Sequence, residues 1–114
     1  MPMAFSTASA GTFIRMLTNL QQDEELLSNY TERVLRATML GDAVSAPQLG
    51  TLSPHLKRRV VLAWLIRNKV PFAPTERFLE EIIRFIDQPQ GGEHKVAPTW
   101  SVVKKKGLVR IQVI

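Results

Sequence analysis

The chain has 114 residues, of which 45% are hydrophobic and 22% charged; that composition excludes a disordered chain and allows one modest core. It has no cysteine, which excludes disulfides, thiolate chemistry and cysteine-ligated zinc and agrees with a reducing, cytoplasmic location. The net charge is +5 and the sequence pI about 10.1. Residues 1–52 hold three basic and five acidic side chains, whereas residues 53–114 hold twelve basic and five acidic ones. The positive field of the second half therefore favours a polyanion.

Residues 1–11, MPMAFSTASAG, are small and uncharged. They lack the basic start of a secretory signal and the arginines of a transit peptide, and a flexible N-terminus is expected. No apolar run reaches the roughly 18–20 residues of a membrane span, so no membrane partner is expected. From about Thr12 to Leu40 the apolar residues Phe13, Leu17, Leu20, Leu27 and Val34 recur at helical spacing. The polar run QQDEE thins the stripe in the middle, which fits a helix that joins domains and equally a plain bundle helix. Gly41 is expected to end this helix in the left-handed conformation. The segment GDAVSAPQLGTL then reads as a loop or a short helical turn.

A second helix starts at Ser53-Pro54, a capping hydroxyl followed by a proline suited to the first helical position. It should stop near Asn68, because Val70 precedes Pro71. A PFAP turn leads to a third helix, with Thr75 as cap and Glu76 favourably placed in the first turn. Phe78, Leu79, Ile82, Ile83 and Ile86 form its apolar stripe, and the run Asp87 to Gly92 ends it. Beyond His94 the residues are β-branched and alternating, through Val96, Trp100, Val102 and Val103. Lys104–Gly107 has turn character, and Leu108 to Ile114 reads as the second strand of a hairpin. The expected fold is α+β: a long N-terminal helix, two further helices and a C-terminal β-hairpin. Its expected core is Leu56, Val60, Trp64, Phe78, Leu79, Ile82, Ile83 and Ile86, with Val102 and Ile111 from the hairpin.

No phosphate-binding glycine loop, dinucleotide fingerprint or nucleophile elbow occurs. His55 and His94 stand far apart in polar settings, without a carboxylate at ligand spacing, and read as surface residues. Glu80 and Glu81 are expected to pair with Arg77 and Arg84 along one helix. Gly91-Gly92 is a poor phosphate cradle, since no helix follows it. No catalytic, cofactor-binding or metal-binding residue is expected. The basic side chains stand out instead. Lys57, Arg58, Arg59, Arg67 and Lys69 lie on the second helix and its exit, and Lys104, Lys105, Lys106 and Arg110 on the hairpin. If the two elements adjoin, they form one patch for a phosphate backbone. Trp64 and Trp100 fit core positions better than base stacking.

The run from Leu49 carries an ordered set of motifs. An arginine pair, Arg58-Arg59, precedes the dipeptide Trp64-Leu65; a proline loop follows at Lys69–Thr75, then the helix FLEEIIRFI, and Val103 to Ile111 closes the series in the hairpin. In this order they resemble the substrate-binding domain of tRNA(Ile)-lysidine synthetase, and the preceding helix resembles the one that joins this domain to the catalytic domain. The resemblance covers residues 13–114. It implies a division into a flexible start at 1–11, a linker helix and loop at 12–48, and a tRNA-binding domain at 49–114. It also implies a parent enzyme whose separate N-terminal PP-loop domain uses ATP and Mg to join lysine to the wobble cytidine of a tRNA(Ile) with a CAU anticodon. The PP-loop motif S-G-G-x-D-S is absent from this chain, so only tRNA positioning carries over. The RNA-contacting residues expected from both arguments are Lys57, Arg58, Arg59, Arg67, Lys104, Lys105, Lys106 and Arg110. Two other outlines compete with this one. A winged-helix-like DNA-binding module shares the helix–turn–helix–hairpin order, but TERFLEEIIRF is acidic and apolar where a recognition helix is basic. A helix-mediated interaction module, including a homodimer, would use the stripe of the first helix.

Overall fold

In the computed structural model, residues 9–72 and 75–113 are described, with side chains from residue 21 onward. The flexible start expected at 1–11 thus falls mostly outside the described residues, as does the Ala73-Pro74 pair of the proline loop. The chain divides into two compact units, Met1–Tyr30 and Thr31–Ile114. The first unit holds most of helix α1, which runs Ser9–Thr38. The second holds the last turns of α1 and every other element.

α1 stops two residues before the end expected from its sequence. Thr38 turns its hydroxyl back to donate to the Leu35 carbonyl at 2.8 Å, and Met39–Leu40 become strand β1. Gly41 does have a positive φ of 66°, but it serves a hairpin rather than a helix cap. Leu40 pairs with Ala43, so Gly41-Asp42 is a two-residue turn whose first position needs the left-handed conformation. Strand β2, Ala43–Ser45, and helix α2, Ala46–Gly50, follow. Ser45 Oγ accepts from the Gln48 amide and Pro47 lies in the first turn of α2.

Helices α3, Pro54–Arg67, and α4, Glu76–Asp87, occupy the expected spans with the expected caps. Ser53 Oγ accepts from the Leu56 amide and Thr75 Oγ1 from the Phe78 amide. α3 ends in a Schellman arrangement: the Val70 amide donates to the Leu65 carbonyl and the Lys69 amide to that of Ile66. Lys69 takes the left-handed position, at φ 59°, where glycine is usual.

The C-terminal region is larger than a hairpin. Strands β3, Gly92–Ala97, β4, Trp100–Lys105, and β5, Leu108–Val113, form a meander. β2 joins it through Val44↔Val109, giving an antiparallel five-stranded sheet in the order β1-β2-β5-β4-β3. The β4–β5 turn is only Lys106-Gly107, both at positive φ (53° and 77°), which is the type I′ geometry that matches strand twist. Lys104 and Lys105 therefore belong to a strand, not to the turn expected at Lys104–Gly107.

One face of the sheet packs on the helices. Val44, Val102 and Val109 from the strands join Leu35, Leu49, Val60, Val61, Trp64, Leu65, Ile82 and Ile86 in the buried core. All ten expected core residues lie in this cluster or pack against it. Trp100 also packs against it, and His94, expected at the surface, stacks on Phe85 with ring centres 5.5 Å apart. The fold is α+β, a helical layer on an antiparallel sheet.

Candidate nucleic-acid interface

Five of the eight basic residues expected to contact RNA prove to be held by partners within the protein, and a sixth is buried. On α3, Lys57 Nζ donates to both carboxylate oxygens of Asp87, at 3.0 and 3.2 Å. Arg58 pairs with Glu76 at the start of α4. Arg59 Nε reaches Thr31 Oγ1 at 3.4 Å, and Arg67 pairs with Glu32 at 3.1 Å. Arg110 on β5 pairs with Asp42 of the β1–β2 turn at 3.3 Å. The cleft between α3 and α4, about 440 Å³, is lined by Lys57, Arg58 and Arg84 but also by Glu80 and Asp87. The α3 surface is thus a lattice of ion pairs that ties the helices together.

Lys104 departs furthest from expectation. It is only 8% exposed. Its Nζ donates to the Ile86 carbonyl at 2.7 Å and also to the Gln88 carbonyl. These are carbonyls of the last turn and cap of α4, which no helical amide can satisfy. A cation at a helix C-terminus also complements the macrodipole. Lys104 closes a helix end and presents no charge to a ligand.

Strand register sorts the remaining cations, because cross-strand partners share a face. The pairs His94↔Val102↔Ile111 and Lys104↔Val109↔Val44 face the helices. The rows Lys95↔Ser101↔Gln112, Glu93↔Val103↔Arg110 and Lys105↔Leu108↔Ser45 therefore lie on the opposite face. There Lys95, Glu93, Lys105, Arg110 and Gln112 are exposed, while Ser101 and Ser45 are buried. Lys106 sits exposed at the turn that ends this face. Lys95, Lys105 and Lys106 have no carboxylate within ion-pairing distance among the described residues. Lys95 escaped sequence reasoning because a lone lysine in an alternating strand has no assigned face until the register is known. Of the two helical carboxylate pairs expected, Arg77–Glu81 forms at 3.5 Å, and Arg84 has no ion pair among the described residues. No group of three or more metal-ligating side chains occurs among the described residues, and none of their helices is long and apolar enough to cross a membrane.

The family model described as "TilS substrate binding domain" matches residues 45–109, more than half of the chain. The chain belongs to that family, the substrate-binding domain of tRNA(Ile)-lysidine synthetase. The matched span opens at the Ser45 cap of α2 and closes in β5, so it takes in α2, α3, α4, β3 and β4 whole. Its role is accordingly a tRNA-binding one within a tRNA-modifying enzyme. No curated protein matches the chain.

Proposed function

We propose that this chain binds tRNA(Ile) with a CAU anticodon and orients it for a separate PP-loop domain, which ligates lysine to the wobble cytidine. The observation that carries this reading is the family match over residues 45–109. The concentration of twelve of the fifteen basic side chains in residues 53–114 supports it on independent, electrostatic grounds. ATP and Mg belong to the PP-loop domain, and residues 49–114 do the holding while 12–48 joins them to it. Contacts to phosphate set the register of the tRNA, and sequence is read elsewhere.

The test is binding of the chain to tRNA(Ile) with a CAU anticodon, to an elongator methionine tRNA and to duplex DNA across a salt series. Tighter binding to tRNA than to duplex, weakening with salt, is the expected result; equal binding to all three, or preference for duplex, removes the reading. A second reading, self-association through α1, is favoured by Leu26 and Tyr30, 67% and 52% exposed one helical turn apart. Sedimentation at rising concentration decides it: a monomer throughout ends that reading.

A further inference from the structure

We propose that the RNA backbone lies across the sheet face turned away from the helices, held by Lys95, Lys105 and Arg110 with Lys106 at its end, and not along α3. This rests on the RNA-binding reading above and says which surface performs it. The α3 cations Lys57 and Arg67 are engaged with Asp87 and Glu32, whose carboxylates are both more than half withdrawn from solvent. Each would have to leave a carboxylate behind before meeting a phosphate, and the uncovered carboxylate would then repel the same phosphate. Lys95, Lys105 and Lys106 carry no such cost. Arg110 does have a partner, but Asp42 is 84% exposed, and a solvated pair of that kind is worth little.

The spacing suits a strand of nucleic acid. Ser101, the partner of Lys95, and Lys105 lie four residues apart on β4. At about 3.4 Å per residue and 4.8 Å between strands, the two lysine Cα atoms stand about 14 Å apart; Glu93 and Val103 lie between them and Arg110 flanks the line from β5. That length corresponds to about four nucleotide steps along a helix axis at a rise of about 3.4 Å. Gln112, exposed on the same face, offers an amide on β5 beside Arg110. Two carboxylates share the surface, Glu93 within it and Asp42 at its edge. They leave four cations to two anions there.

Two variants of equal charge loss test the placement on the full chain with tRNA(Ile). One carries Lys95→Gln, Lys105→Gln and Lys106→Asn on the sheet side. The other carries Arg33→Gln, Lys69→Asn and Arg84→Gln, all on helices or helix ends and none in an ion pair among the described residues. The sheet variant should bind about a hundred-fold more weakly at 0.1 M salt, with a salt slope shallower by about two to three. The helix variant should lose only a few-fold. Equal losses would overturn the placement while leaving the RNA reading intact. Failure of the unsubstituted chain to bind tRNA would instead remove that reading itself. Lysine acetylation of the unsubstituted chain reads the same surface without any substitution. Bound tRNA should shield Lys95, Lys105 and Lys106 but leave Lys69 reactive, and uniform reactivity would overturn the placement.

Discussion

Replacing Lys104 with methionine separates a structural cation from a binding one. Methionine keeps most of the aliphatic stem and removes the donors that serve the Ile86 and Gln88 carbonyls. The bond to Ile86 is buried, so its carbonyl would be left without a partner, at a cost of about 1–3 kcal/mol. The bond to Gln88 is only partly buried, and water replaces it in part, adding on the order of 1 kcal/mol. Relief from burying an ammonium offsets some of this. The net is a loss of about 2–3 kcal/mol, or on the order of 10–20 °C in Tm for a unit of this size. Lys105→Met, one residue along and exposed, should stay within about 0.5 kcal/mol of the parent. Thermal melts followed by circular dichroism, with tryptophan fluorescence as a second probe, read both variants. Below its Tm, Lys104→Met should bind tRNA as the parent does. Equal melting of the two variants, or a loss of tRNA affinity at unchanged stability, would refute the role assigned to Lys104.

The other predictions concern the backbone and the α3–α4 contact. Lys69→Gly should stabilise the chain by about 1 kcal/mol in urea titration, since a left-handed residue at the end of α3 costs a side chain about that much; a destabilised variant would show that the lysine side chain matters more than its φ. Gly91→Ala should cost about 1–3 kcal/mol, because a Cβ there would stand 2.6 Å from the Lys104 backbone carbonyl oxygen. An unchanged Tm would mean that the β3 entry yields freely. A double-mutant cycle on Lys57 and Asp87, each changed to alanine, should return a coupling of up to about 1 kcal/mol, as the carboxylate is half in solvent. A coupling indistinguishable from zero would remove this pair from the forces that join α3 to α4.

The sequence determined the elements whose signals are local. α3 and α4 were legible because Ser53-Pro54 and Thr75-Glu76 are chemical start signals and a 3.6-residue stripe needs no partner to be seen. The core followed from the same stripes, so Trp64, Ile82 and Ile86 could be named before any packing was known. The family motifs and the basic second half were legible for the same reason. Pairing between distant segments was not. β1 and β2 together span five residues, too short for alternation to register, and their small hairpin joins the main sheet only because Val44 meets Val109 some sixty-five residues later. The site was lost to sequence in the same way. Three consecutive lysines look alike on paper, but a strand sends neighbours to opposite faces. Tertiary structure therefore placed Lys104 under the end of α4 and Lys105 in solvent. It likewise decided that Arg58 and Arg67 of α3 meet carboxylates of α4 and α1, a compensation that a charge count along the chain has no means to register.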